Sequence, residues 1–120
     1  MTNVAIVGAG AGGTSILKLL QGITDIKIIG MCDLDEHAQG IVLARNLGID
    51  TYNDIRKVLA LPALDILIEV TGVPKVQELI GQYKSEQPPG RKYQPIKHPE
   101  QTYILCNAKT CLFHIELLVI

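Results

Sequence analysis

The sequence predicts an α/β domain in which helices cover both faces of a mostly parallel, five-stranded sheet. Three observations support this class. Short apolar runs alternate along the chain with segments of helical periodicity. The connections between them are short, which favours right-handed crossovers between parallel strands. A glycine-rich turn joins the first apolar run directly to the first helical segment. We expect the strand order 3-2-1-4-5, and the 120 residues fit one domain.

The first half of the chain contains two strand–helix units. The continuous apolar run at residues 4–7 is typical of a strand that is buried on both faces, and helical spacing of apolar residues continues over residues 12–21. Residues 26–32 are rich in β-branched side chains and predict the second strand. A helix is expected over residues 36–47, although Gly40 weakens the prediction at its centre.

The next two units are shorter. Residues 49–52 predict the third strand, and Asn53 is expected to cap the helix that follows. Residues 64–70 predict the fourth strand, and Pro74 stands at the expected first position of another helix. Apolar residues at helical spacing predict the core faces of the two helices: Ile55, Val58 and Leu59 in the first, and Val76, Leu79, Ile80 and Tyr83 in the second.

Regular patterning stops at residues 84–101, where four prolines and a glycine predict a long loop. We interpret it as a solvated connection, with a lid that closes on phosphates as the alternative because basic side chains outnumber acidic ones there. Residues 102–106 predict the fifth strand. The apolar tail from about residue 109 predicts a helix on the sheet, or a surface that meets a second copy or a further domain.

Composition restricts the classes of function. A net charge of −1 provides no basic field for nucleic acid. No apolar run approaches the roughly 20 residues of a membrane span, and the amino terminus lacks a signal-peptide pattern, so we expect a cytoplasmic protein. The three cysteines form no C-x-x-C pair and match no zinc-binding spacing, so reduced thiols and no metal are expected.

The glycine-rich turn has the clearest functional pattern. Gly8, Gly10 and Gly13 satisfy G-x-G-x-x-G. In that pattern the first glycine permits a tight turn, the second lets the backbone approach a pyrophosphate, and the third lets the helix pack closely on the sheet. The helix that begins near Gly12 directs unpaired N–H groups at the same place, and Thr14 offers a hydroxyl donor. We therefore expect a bound dinucleotide here.

An acidic residue follows at the spacing that this pattern requires. Asp33 ends the second predicted strand, twenty residues after Gly13. A carboxylate in that place accepts hydrogen bonds from the adenosine ribose and repels a 2′-phosphate, so NAD is favoured over NADP. Asp35 or Glu36 could share this role. The alternative is that Asp33 only caps the next helix.

Polar residues also stand at the end of the fourth strand. Glu69 interrupts an otherwise apolar run, and it either faces the nicotinamide side of a cofactor or is satisfied by backbone N–H groups of neighbouring turns. Thr71 and Gly72 resemble the turn over which a cofactor crosses the sheet, and we include both among the candidate cofactor contacts.

Together these features predict a Rossmann-like dinucleotide-binding domain. Residues 30–35, 44–49 and 52–54 resemble the cofactor domain of the glucose-fructose oxidoreductase and inositol dehydrogenase family, and the resemblance extends over residues 1 to about 83. It implies binding of NAD(P) and a lysine after the fifth strand that assists proton transfer. Lys109 lies near that place without the Glu-Lys-Pro motif of the family, and it is the catalytic candidate that this resemblance implies.

A second resemblance concerns residues 53–72, which are similar to Rossmann segments that precede sensor modules in some bacterial signalling histidine kinases. This resemblance implies ligand sensing rather than catalysis. The sequence therefore predicts an NAD(H)-binding module with a sensing or regulatory role. The alternative is the cofactor-binding portion of an NAD(P)-dependent oxidoreductase that lacks its substrate domain.

Overall fold

The computed structural model describes residues 1–71, 73–85, 93–97 and 103–107, and these residues form an α/β fold around one sheet. Strands β1 to β4 are parallel and lie in the order β3-β2-β1-β4, which confirms the predicted parallel core. The elements in chain order are β1 Thr2–Val7, α1 Ala11–Gln21, β2 Ile26–Cys32, α2 Gln39–Asn46, β3 Thr51–Tyr52, α3 Ile55–Leu59, β4 Ile66–Glu69, α4 Pro74–Ser85, β5 Tyr93–Lys97 and β6 Tyr103–Asn107.

The central strand β1 is buried on both faces. Val4 and Ile6 belong to the core that α1 and α2 cover, whereas Ala5 and Val7 belong to the core under α3 and α4. This alternation is the period-2 geometry of a strand between two helical layers. The continuous apolar run at the start of the sequence is therefore explained by burial on two sides.

Helix α2 begins three residues later than predicted. The chain first makes a turn in which Asp35 accepts two hydrogen bonds, from the His37 N–H to its carboxylate (2.9 Å) and from the Ala38 N–H to its carbonyl (3.1 Å). An aspartate that bonds the backbone two residues ahead competes with helix formation. The periodic pattern alone did not reveal this turn.

Helix α3 is capped by Asp54 and not by Asn53, so the prediction for Asn53 is wrong by one position. The Asp54 carboxylate accepts from the Arg56 N–H at 2.9 Å, and Asp54 has extended backbone angles.

Among the described helices, none is long and apolar enough to cross a membrane. The predicted core residues of α3 are buried, and in α4 Ile80 is buried while three neighbours pack partly buried beside it: Val76, Leu79 and Tyr83.

The sheet beyond β4 differs from the prediction. Strand β6 lies beside β4 but runs antiparallel to it, and β5 pairs antiparallel with β6 at the outer edge. Strand β6 overlaps the strand expected over residues 102–106, and the loop expected over 84–101 contains the end of α4 and all of β5. Only five residues separate β5 from β6, too few for the crossover that parallel strands need. Pro95 is tolerated in β5 because this is an edge strand.

A substitution at Gly13 tests how tightly α1 packs against the turn that precedes it. A Cβ atom at Gly13 would lie 1.7 Å from the carbonyl oxygen of Gly8, so backbone would have to move. We expect Gly13→Ala to lower the free energy of unfolding by about 3 kcal/mol, measured by urea denaturation with circular dichroism. Gly12→Ala is the matched control, because no atom lies within 4 Å of its Cβ position. Equal stability of the two variants would contradict this packing argument.

Candidate nucleotide-binding site

A cavity of about 820 Å³ opens at the carboxyl ends of β1, β2 and β4. The chain leaves β1 towards α1 on one face of the sheet and leaves β4 towards α4 on the other, so the cavity lies where the connections diverge. Open α/β sheets bind ligands at this point. The lining residues are Val7, Gly8, Gly10, Ala11, Gly12, Gly13, Cys32, Asp33, Leu34, Asn53, Asp54, Ile55, Arg56, Val70, Thr71, Val73, Val76 and Leu79.

Two of the predicted glycines are required by the fold itself. Gly8 has a φ of +108°, and a Cβ there would lie 3.1 Å from the Val70 side chain and 3.2 Å from the Thr71 nitrogen. Gly13 has no room for a Cβ beside the Gly8 carbonyl. A glycine at either position therefore follows from backbone conformation and packing, whether or not a ligand binds.

Gly10 is different, because neither its conformation nor its packing requires a glycine. Its φ is −76°, which residues with side chains adopt, and no atom lies within 4 Å of its Cβ position. The space in front of Gly10 belongs to the cavity, and the same is true of Gly12. The open space is what a ligand needs in order to approach the backbone closely.

The amino terminus of α1 supplies donors to this space. Gly10 is the N-cap and makes no side-chain capping bond, and the first turn contains no acidic residue. The first N–H groups of a helix have no partners within the helix, and the helix dipole favours an anion in front of them. The Thr14 hydroxyl instead donates to the Gly10 carbonyl at 2.6 Å, and Thr14 is buried and is not among the residues that line the cavity.

Asp33 lines the cavity and also joins the glycine-rich turn to the end of β2. Its Oδ2 accepts from the Ala9 N–H at 2.8 Å, and its Oδ1 accepts from the Asp35 N–H at 2.9 Å. The capping alternative does not apply, because α2 begins at Gln39 and no side chain caps it. A carboxylate has about four lone-pair positions, so Asp33 retains acceptor capacity towards the cavity.

Gly40, which interrupts the helical pattern of the sequence, contacts the glycine-rich turn. Its N–H donates to the Ala9 carbonyl at 2.8 Å, and a Cβ there would lie 2.8 Å from that oxygen and 2.7 Å from the Met31 methyl group. Helix α2 therefore touches the glycine-rich turn directly. The signal in the sequence was a glycine within an otherwise helical pattern, a residue that is unfavourable in a helix interior.

Basic side chains line the same cavity as Asp33 and the recess beside it. Arg56 lines the cavity and is exposed. A smaller recess of about 220 Å³ shares Asp33 with the cavity and is lined by Glu36, Ile41, Arg45, Thr51, Tyr52, Asn53 and Lys57. These cations come from the elements that surround β3, and only the pairing of β3 with β2 brings them to the acid.

The turn after β4 is held by a buried acid. Glu69 is fully buried, and its Oε1 accepts from the Thr71 N–H at 2.6 Å and from the Thr71 hydroxyl. The hydroxyl oxygen in turn accepts from the Val73 N–H at 3.0 Å. Of the two interpretations of Glu69, the structure agrees with satisfaction by the neighbouring turn. Thr71 lines the cavity, whereas Gly72 and Lys109 lie outside the described residues.

Cys32 is the only thiol among the residues that line the cavity. Its side chain is 4% exposed, and burial raises the pKa of the thiol to about 11, with the negative charges of Asp33 and Asp54 acting in the same direction. At neutral pH Cys32 is therefore a protonated, weakly nucleophilic group.

Two comparisons with known proteins agree with this architecture. An acetaldehyde dehydrogenase from Roseiflexus sp. (strain RS-1) is 34% identical over 70 residues, which is 57% of this chain and 23% of that protein. A solved structure titled as an NAD-binding protein from Listeria innocua aligns with a TM-score of 0.51 and 24% identity, over 58% of this chain and 20% of the other. No protein-family model matches the chain.

These similarities establish a class and not a particular protein. The chain has a Rossmann-like α/β fold, and it spans less than a quarter of the length of the dehydrogenase that it resembles. They support the broad class predicted from the sequence and do not support the specific oxidoreductase and histidine kinase families that the sequence resembles.

The reactivity of Cys32 tests the environment of the cavity. At pH 8 a thiol with a pKa near 11 is ionised to about one part in a thousand. We expect iodoacetamide to leave Cys32 unmodified in the folded protein at pH 8 and to alkylate it fully in urea, as measured by peptide-resolved mass spectrometry. Rapid alkylation of Cys32 in the folded protein would contradict the burial and charge environment described here.

Proposed function

We propose that this chain is an NAD(H)-binding module. The observation that carries the proposal is Gly10, a glycine that the fold does not require and that leaves open space in front of an uncapped helix terminus. A pyrophosphate at this place would accept hydrogen bonds from the N–H groups of the first turn of α1. The similarity to an acetaldehyde dehydrogenase and to a protein titled as NAD-binding supports a nicotinamide dinucleotide as the ligand.

The side chains around the glycine-rich turn give the ligand a direction. The adenosine ribose lies towards β2 in this proposal, where Asp33 has acceptor capacity for its hydroxyl groups. The exposed Leu34 and the buried Ile55 offer apolar surface for the base on the same side. The rest of the dinucleotide passes over the turn and continues towards β4.

A matched pair of glycine substitutions tests the site. We expect Gly10→Ala to weaken NADH binding at least about tenfold, because the added methyl group occupies the place of the pyrophosphate. Gly81→Ala is the control: it adds the same methyl group in open space on α4, away from the turn. Isothermal titration calorimetry measures both. Equal affinities in the two variants, or no NADH binding to the wild-type chain at millimolar concentration, would overturn the proposal.

The preference between the two cofactors depends on opposing charges. Asp33 favours NAD because it repels a 2′-phosphate, while Arg56 in the same cavity would attract one. We propose that Asp33 dominates, because its carboxylate is fixed by two backbone N–H groups whereas Arg56 is exposed.

Titration with both reduced cofactors measures this preference. We expect NADH to bind at least about tenfold more tightly than NADPH. Asp33→Asn should reduce the ratio of NADH affinity to NADPH affinity, and Arg56→Ala should raise this ratio. The ratio is the useful quantity, because loss of the Ala9 contact lowers both affinities in the Asp33 variant. Tighter binding of NADPH to the wild-type chain would contradict the proposed role of Asp33.

A sensing or regulatory role is our proposal for how the bound dinucleotide is used. In the described part of the cavity, the thiol of Cys32 is held protonated and both oxygens of Asp33 accept backbone hydrogen bonds. These groups suit binding better than nucleophilic or acid–base chemistry. They support a module that binds the dinucleotide without reacting with it, as a sensing or regulatory role requires.

The second candidate is the cofactor-binding portion of an NAD(P)-dependent oxidoreductase. The similarity to an acetaldehyde dehydrogenase, of which the chain covers 23%, specifically favours it. The absorbance of NADH at 340 nm during incubation of the chain with NAD⁺ and acetaldehyde distinguishes the two. Turnover that is lost in Lys109→Ala would establish the oxidoreductase and overturn the binding module.

A further inference from the structure

We propose that Glu69 is a positioning residue that fixes the direction of the Thr71 hydroxyl, so that its oxygen accepts a hydrogen bond from the second nucleoside of a bound dinucleotide. This inference rests on the proposed function. It assigns Thr71 to a hydrogen-bond donor of the ligand, such as a ribose hydroxyl or an amide, and excludes a phosphate oxygen as its partner.

The direction of each hydrogen bond in this turn follows from its neighbours. Oε1 of Glu69 accepts from the Thr71 N–H at 2.6 Å, which makes that oxygen an acceptor. The Thr71 hydroxyl also contacts this oxygen, so the hydroxyl must donate its proton there. The Val73 N–H points at the same hydroxyl from the other side at 3.0 Å, and an N–H group can only donate.

These bonds determine what Thr71 can offer a ligand. A hydroxyl group has one proton and two acceptor lone pairs. The proton is directed to Glu69 and one lone pair to Val73. One lone pair remains, and Thr71 lines the cavity. Phosphate oxygens bear no proton at neutral pH in a bound pyrophosphate, so they gain nothing from this oxygen. A hydroxyl or amide N–H of the ligand does.

The order of the sheet places Thr71 on the side opposite the acidic residue of β2. Asp33 follows β2, the glycine-rich turn follows the central β1, and Thr71 follows β4. The Thr71 nitrogen lies only 3.2 Å from the position that a Cβ of Gly8 would occupy, so the two turns are in contact. A dinucleotide that extends from Asp33 across Gly10 brings its second nucleoside to Thr71.

The burial of Glu69 suggests that the acid has a task in this turn. Its side chain is fully buried at the end of a strand whose other residues are apolar, and a buried acid is costly unless it is hydrogen-bonded. Buried ionic groups can often be replaced by apolar residues of similar volume without loss of stability. An apolar residue at this position could not accept hydrogen bonds from both the N–H and the hydroxyl of Thr71.

Four variants and three ligands test the inference. Thr71→Val removes the hydroxyl and Thr71→Ser retains it; Glu69→Met removes the acceptor and Glu69→Gln retains one oxygen. We expect Thr71→Val and Glu69→Met to weaken NADH binding about tenfold, the size of a hydrogen bond to a ligand. Their affinity for ADP, which lacks the second nucleoside, should stay within about twofold of wild type. Thr71→Ser and Glu69→Gln should restore most of the NADH affinity.

ADP-ribose identifies the donor. If Thr71→Val weakens ADP-ribose as much as NADH, the partner is a ribose hydroxyl; if only NADH is weakened, the partner is the carboxamide. Thermal unfolding of each variant shows whether it is folded. If Glu69→Met is unfolded, the comparison of Thr71→Val with Thr71→Ser tests the hydrogen bond from the ligand to Thr71. Equal losses for ADP and NADH, or no loss for NADH, would overturn this inference while leaving the proposed function intact. A wild-type chain that binds neither ligand would overturn both.

Discussion

Ala9 is the point at which the glycine-rich turn is attached to the rest of the molecule. It is fully buried; its N–H donates to Asp33 at the end of β2, and its carbonyl accepts from Gly40 at the start of α2. These two bonds hold the turn against the neighbouring strand and helix, and α1 packs closely against the turn at Gly13. In front of Gly10 the space is open and belongs to the cavity.

The same arrangement separates the glycines into two kinds. Gly8 and Gly13 are fixed by backbone conformation and by packing, so a domain without a ligand would keep them. Gly10 has no such reason. The distinction matters for function, because a glycine pattern by itself does not separate a structural turn from a binding site. The geometry around each glycine adds to the pattern, because the empty Cβ positions of Gly10 and Gly12 open into the cavity.

Much of the fold could be predicted from the sequence because its information is local. Apolar runs without alternation identify strands buried on both faces, and the order of the four parallel strands follows from short connections. The antiparallel pair β5 and β6 could not be predicted in the same way, since pairing between strands is a long-range choice that periodicity does not encode. The later start of α2 was missed because a side chain of Asp35 competed with the helix.

The features of the candidate site fall into the same two groups, those that could be predicted from the sequence and those that depend on the tertiary structure. The sequence by itself determined the position of the glycines, the acid at the end of β2 and the helix that presents its N–H groups, because each depends on residue type and spacing. Only the tertiary structure decided that Thr14 bonds its own helix, that Arg56 enters the cavity and that Glu69 directs Thr71. These outcomes depend on which atoms of distant segments meet within hydrogen-bonding distance, and that is a property of packing in three dimensions.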